Sequence, residues 1–272
     1  MDDLIVFSSL ISKRFLKQHQ KFFYYLSRLI KKDTRHDLYN LYGLIILIKQ
    51  IINQPSLEYP VKYLNEVREE TVQAFLNQYS TNLIVMSFVR TAKKNQFDLN
   101  EILDLFQAAK LDLRKTKLNQ KKFDLYIHGS AEVISLMILR VFMIDEIKIR
   151  KLETNAKLLG SICQRINLII NLKKNYENLG YFYWPLDNYQ QFDESYKKSI
   201  TNQIDRDFAT VRRSIELLPR NCRLIVLVSY DYYYYLFKKI KRYSVDDLKQ
   251  KPIKASRLIQ SLIILKNLLK IV

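Results

Sequence analysis

Glycine and proline are scarce: four of one and five of the other in 272 residues. A sheet protein of this length would need many more turn residues, so the scarcity predicts long helices with short connections. Only two cysteines are present, Cys163 and Cys222, both in apolar helical contexts and neither at a metal-like spacing. They predict free, buried thiols in a reducing compartment. There is no Gly-rich phosphate loop, no nucleophile elbow and no Cys-x-x-Cys. The three histidines, His19, His36 and His128, are far apart, none pairs at i, i+4, and each reads as structural. No helix carries two acids at i, i+3 or i+4 on a face that reads as buried. Asp112 and the pair Asp145–Glu146 fall at helix ends, where acids serve solubility. No apolar run reads as long enough to span a bilayer, and the best one, Leu258 to Val272, is broken by Lys266 and Lys270. The opening Met-Asp-Asp does not resemble a signal peptide. Residues 11–32 are basic and free of acids, like a mitochondrial presequence, but the helical pattern places most of them inside the fold.

Hydrophobic residues make up 48% of the chain, ordinary for a folded protein, and the formal charge is +18. That charge has two readings: an anionic partner such as nucleic acid, a phosphorylated ligand or an acidic membrane, or lysine scattered over outer helix faces. All five prolines, at 55, 60, 185, 219 and 252, fall between periodic segments. Between them the periodicity predicts about ten helices, near residues 3–31, 36–53, 62–79, 81–95, 99–114, 121–145, 148–178, 192–217, 221–242 and 253–271. Asp98 to Glu101 and Ser244 to Asp247 read as capping boxes. No repeat, linker or shift of composition divides the chain, so residues 1–272 read as one all-α domain.

Two helices stand apart. From Leu38 to Ile52 nearly every side is apolar, which belongs in the middle of a bundle, and the helix ends in Lys49, Gln50 and Asn53. The helix over 158–175 has a broad core face and, opposite it, a stripe of amides: Gln164, Asn167, Asn171 and Asn175, spaced three, four and four apart on one face. Without further information such a stripe is a solvated surface. Four amides without an acid are unusual for one.

Taken in order, several blocks resemble the squalene/phytoene synthase family, the head-to-head trans-isoprenyl diphosphate synthases. His19-Gln-Lys-Phe-Phe-Tyr-Tyr-Leu-Ser-Arg-Leu-Ile30 is similar to the family's His-Ser-Lys-Ser-Phe-Tyr stretch, with Lys21 and Phe23 matching. Leu38-Tyr-Asn-Leu-Tyr-Gly-Leu-Ile-Ile46 resembles its Tyr-Ala-Phe-Cys-Arg helix and keeps Tyr42. Leu125-Tyr-Ile-His-Gly-Ser-Ala131 resembles its Tyr-Cys-x-x-x-Ala segment and keeps Tyr126; His128 stands for the second aromatic, and Glu132 and Ser135 for nearby glycines. Leu159-Gly-Ser-Ile-Cys-Gln-Arg-Ile-Asn167, running on to Pro185, resembles its Gly-x-Ala-x-Gln-x-x-Asn helix and Tyr-Leu-Pro, with Gln164, Asn167 and Pro185 matching. The resemblance spans roughly residues 19–265. It implies an isoprenoid-synthase-type helical bundle around a central cavity, with the amide stripe on the cavity wall and Lys21, Tyr42, Tyr126, His128, Gln164, Asn167 and Tyr233 as wall residues.

The same resemblance implies a departure. Family members ionise an allylic diphosphate with Mg²⁺, held by Asp residues three or four apart on two facing helices. The matching positions here are Lys49, Gln50 and Asn53 on one helix and Asn171 and Asn175 on the other, and Ile46 replaces an arginine. Amides without carboxylate partners bind Mg²⁺ weakly and Lys49 would repel it, so no metal or other cofactor is expected. The leading expectation is a non-catalytic member of the fold that binds an isoprenoid, another lipid or a partner protein. By analogy with a mitochondrial relative, a role in respiratory complex I assembly is implied, with the tail from Arg257 to Val272 either touching an anionic membrane or packing on the bundle. The alternative is a transferase acting on farnesyl or geranylgeranyl diphosphate, with Mg²⁺ or with Lys49, Arg165, Lys173 or Lys174 as clamps. Nucleic acid is the weakest partner, because the basic residues form no module. A bacterial cytoplasm is the expected compartment, peripheral to the inner membrane, and a mitochondrial matrix the alternative.

Overall fold

Seven α-helices start at a side chain that accepts hydrogen bonds from their first free amides: Asn82, Asp98, Asn119, Asp145, Asp193, Ser244 and Ser256. Asp98–Glu101 and Ser244–Asp247 form complete capping boxes, as their spacing predicts. Pro60 opens one helix at its first turn and Pro219 caps another, while Pro185 and Pro252 lie between helices. The fifth proline, Pro55, lies outside the described residues. A computed structural model describes residues 2–54, 56–115 and 117–271, with the side chains of 2–5, 178–179, 221 and 270–271 excepted.

The helices are α1 (Asp2–His19), α2 (Lys21–Ser27), α3 (Lys32–Asn53), α4 (Pro60–Asn77), α5 (Leu83–Lys94), α6 (Leu99–Arg114), α7 (Gln120–Ile127), α8 (Val133–Phe142), α9 (Glu146–Ile170), α10 (Leu172–Leu179), α11 (Glu194–Ser214), α12 (Arg220–Arg242), α13 (Val245–Gln250) and α14 (Arg257–Ile271). No strand occurs among the described residues, so the all-α expectation holds. A π turn, His128–Glu132, joins α7 to α8 without a break, and the two make one helix from Gln120 to Phe142.

Two boundaries differ from the sequence reading. The single helix expected over 3–31 breaks at Gln20, whose backbone is non-helical. Beyond the break, Phe22 stacks on Tyr232 and Phe23 tilts against Tyr42, so tertiary packing overrides local propensity. The helix expected over 148–178 kinks at Asn171, which ends α9 and starts α10, with its amide donating back to the Asn167 carbonyl (2.9 Å). Gln120–Phe142 is also long and apolar enough to cross a membrane, which the sequence reading did not count. It is a bundle helix, with 56% of its most apolar window buried.

The apolar helix α3 lies centrally, against α1, α4, α5, α6 and α8. Leu38, Leu41 and Leu44 are fully buried. Of its two buried polar groups, Asp37 pairs with Lys94 (2.6 Å), and Asn40 donates its amide to Thr91 (3.1 Å) while its Oδ1 has no partner among the described residues. Two glycines set close backbone contacts. A side chain on Gly129 would strike the Asp104 carbonyl of α6, and one on Gly160 would strike Ala131 and Ser135. The π turn is thereby held tightly between α6 and α9.

Candidate functional site

A cavity of about 860 Å³ runs along α9. Wall positions on that helix include Leu152, Ala156, Leu159, Gly160, Cys163, Gln164, Asn167 and Asn171, one face over five turns. At 1.5 Å per residue that face is about 28 Å long. Its first half is apolar except for Asn155, and its second half carries Gln164, Asn167 and Asn171. The apolar end is completed by Ile138, Leu139 and Phe142 of α8, by Ile215 and Leu218, and by Cys222, Ile225 and Val226 of α12. The polar end is completed by Lys49 and Asn53 of α3, Asp112 of α6, Lys174 and Asn175 of α10, and Gln20. The volume lies within the ordinary range for small-molecule sites.

Hydrogen bonds organise the polar half. Gln164 donates to the Tyr126 hydroxyl (2.9 Å) and Asn167 to the Tyr233 hydroxyl (3.3 Å). Tyr183, whose ring lies 5.1 Å from that of Tyr126, donates its hydroxyl to Asp112. Asn53 donates to the Lys49 carbonyl (2.9 Å). Burial raises the Tyr42, Tyr126, Tyr183 and Tyr233 hydroxyls above the ordinary phenol value, so all four stay neutral. Lys49 opens into the cavity while protein rings it: desolvation lowers its ammonium and Asp112 partly restores it. Desolvation likewise raises Asp112, and the Tyr183 hydroxyl, Lys49 and Lys115 pull it back.

Of the wall residues expected from the sequence, Tyr42, Tyr126, Gln164, Asn167 and Tyr233 line the cavity. Lys21 does not: it is exposed, and Gln20 takes the wall position beside it. His128 does not either. It turns toward α6, 3.4 Å from Asp104 and 3.0 Å from Glu132. Of the five positions matched to metal ligands, Lys49, Asn53, Asn171 and Asn175 line one cavity, while Gln50 is exposed, its amide 3.5 Å from His19 Nδ1. Arg165, a candidate clamp, points away from the cavity. It is buried, with its guanidinium 2.5 Å from Asp207 of α11 and donating to the Ser161 carbonyl. Lys173 donates to the Gln250 carbonyl (3.4 Å), outside the wall, and Lys174 alone of the pair lines the cavity.

Asp112 is the residue that sequence reasoning misplaced. It reads as a solubilising acid near a helix end, yet it lies in the cavity wall. The signal was its register: Leu105, Ala108 and Ala109 are buried, and Asp112 continues their face. It is the one carboxylate lining the cavity among the described residues. No group of three or more His, Cys, Asp or Glu able to hold a metal ion occurs among them. One carboxylate already bonded to Tyr183, flanked by amides and facing a lysine, does not fit Mg²⁺, which asks for several hard oxygen donors.

The sequence matches a family model described as squalene/phytoene synthase over residues 16–258. The chain belongs to the squalene/phytoene synthase family. Solved structures of the same fold agree. A dehydrosqualene synthase in complex with ligand has a TM-score of 0.82 at 14% identity, over 98% of this chain and 97% of that one. The squalene synthase HpnC from Alicyclobacillus acidocaldarius has 0.71 at 15%, over 88% and 94%. YisP from Bacillus subtilis has 0.66 at 10%, over 96% and 96%. No curated protein matches the sequence. At these identities the structures speak for the fold: the isoprenoid-synthase bundle around a central cavity, as the sequence predicts.

Proposed function

We propose that this protein is a non-catalytic member of the family that binds a long apolar ligand, an isoprenoid or a similar single-chain lipid, in its central cavity. The observation that carries the reading is the cavity itself: open, largely apolar for half its length, and ending in Lys49, Asn53, Asn171 and Asn175 where the family's reaction calls for metal-binding acids. A protein acting only as a scaffold would have no use for such a space and would gain by filling it. The polar end favours a head group with little charge. It offers Lys49 and Lys174 against Asp112, and the carboxyl end of α3 lies beside it, where the helix dipole disfavours anions. A diphosphate would meet too few counter-charges there. The amides and neutral tyrosines suit a hydroxyl or a single carboxylate.

A function in respiratory complex I assembly, drawn from the family analogy, would place the loaded protein at the bacterial inner membrane or, alternatively, in the mitochondrial matrix. The transferase alternative is separated by assay. The pure protein is incubated with farnesyl and geranylgeranyl diphosphates, with and without Mg²⁺, and diphosphate is measured. No release is expected, and metal-dependent release sinks the proposal. Calorimetric titration with geranylgeraniol is expected to show one site, lost when Cys163→Trp fills the cavity.

A further inference from the structure

Helix α14 packs on the outside of α12, and its inner face is well anchored. Ile263 and Asn267 are buried, Asn267 donates to Asp231 (3.0 Å), and Lys266 pairs with the same carboxylate (3.0 Å). Its outer face is apolar as well. Leu258, Leu262, Leu265 and Leu269 are exposed by 69%, 50%, 53% and 73%. Spaced four, three and four apart, they fall within an arc of about 60° and form a stripe about 16 Å long. A solvent-facing helix side would ordinarily carry polar residues there.

Charge points to what covers it. Residues 248–272 hold six Lys or Arg and no acid. Lys254 and Arg257, exposed at the start of the stripe, have no carboxylate partner among the described residues. A second copy of the chain would bring the same unbalanced positive charge to the contact. Four leucines also fall well short of the roughly 800 Å² per partner that a stable interface uses. An apolar stripe flanked by cations alone matches a bilayer with anionic head groups.

We infer that α14 docks on an anionic membrane surface, with Leu258, Leu262, Leu265 and Leu269 in the interface and Lys254 and Arg257 among the head groups. The helix beneath it, α12, gives Val226, Ser229 and Tyr233 to the cavity wall, so docking holds the cavity one helix away from the bilayer. The inference stands whether or not the cavity holds a lipid.

Sedimentation of the full chain with vesicles tests it. Vesicles of phosphatidylcholine with about a third phosphatidylglycerol are expected to bind the protein at least about tenfold more tightly than pure phosphatidylcholine. The double variant Leu262→Glu/Leu265→Glu is expected to lose about tenfold or more of that binding with an unchanged melting temperature, because both positions are exposed. Lys254→Gln/Arg257→Gln, which leaves the stripe intact, should remove most of the preference for anionic vesicles. Equal binding to both vesicles, no binding, or indifference to both variants overturns the inference. A dimer in sedimentation velocity that the leucine variant dissociates also overturns it, by giving the face to a second copy.

Discussion

Lys49 and Asp112 act on each other across the polar end of the cavity, each drawing the other toward its charged form against the cost of burial. Desolvation by the surrounding cavity wall prevails for both. Lys49 stands where the family resemblance places an acid, and Asp112 is the carboxylate that remains. The pair gives the mouth a nearly balanced charge, which is the opposite of a site built to gather a polyanion and its metals.

Asp112 therefore makes stability depend on pH in a defined direction. Its folded-state pKa is raised above the ordinary 3.8, with Lys49 already counted among the forces that lower it. A raised pKa means that folding favours the protonated form. The contribution is complete below 3.8 and is lost as pH rises through the folded value. At neutral pH the carboxylate costs stability. Asp112→Asn is expected to add about 1 kcal/mol at pH 7, with the gain vanishing near pH 3.5. Urea melts of both proteins at the two pH values measure it.

Restoring acids should restore a metal site. In Lys49→Asp/Asn53→Asp/Asn171→Asp/Asn175→Asp, four carboxylates join Asp112 in one cavity. Millimolar Mg²⁺ is expected to raise the melting temperature of this variant, because only the folded state gathers the ligands. The parent should not respond. An equal shift in the parent would show that its amides hold the metal unaided.

Arg165 is expected to act on stability and not on ligands. Its guanidinium is buried against Asp207, away from the cavity. Removing one partner of a buried pair strands the other, so Asp207→Ala should cost about 3–5 kcal/mol in denaturant melts. Arg165→Lys, which keeps the charge but loses the fork, should also destabilise and leave geranylgeraniol affinity unchanged. Weakened diphosphate binding with unaltered stability would return Arg165 to the role of clamp.

Both thiols should be slow to alkylate. Burial pushes Cys222 up to about 12 and Cys163 higher still, so neither is thiolate at pH 8. Iodoacetamide should label them at least about 100-fold more slowly in the native protein than in urea. Peptide mass spectrometry reads each site. A bound ligand should slow Cys163 further, because that side chain lines the cavity.

The bundle was legible because helix signals are local. Caps at Asp98 and Ser244 sit beside the helices they start, and α3 announced its central place by being apolar all round, whereas Asp145, read as a solubilising acid, caps α9. The amide stripe was legible only through the family resemblance, since a stripe of polar residues looks alike facing solvent or facing a cavity. What escaped was direction. Lys21, His128, Gln50 and Arg165 all sit on the expected helices, but about 100° of rotation per residue separates a wall position from its neighbour. Gln20 lines the cavity and Lys21 does not. The break at Gln20 depends on Phe22 and Phe23 meeting Tyr232 and Tyr42, residues distant in sequence.

The π turn between α7 and α8 carries a consequence for what can enter. Ser130 and Ala131 of the turn line the cavity, and Gly129 and Gly160 seat the turn against α6 and α9 with no room for even a methyl group. Side chains at the apolar end can change rotamer to admit a longer tail. The turn cannot retreat, because backbone lies directly behind it. It is a fixed stretch of wall: chain length is negotiable in this cavity, and room on the side of the turn is not.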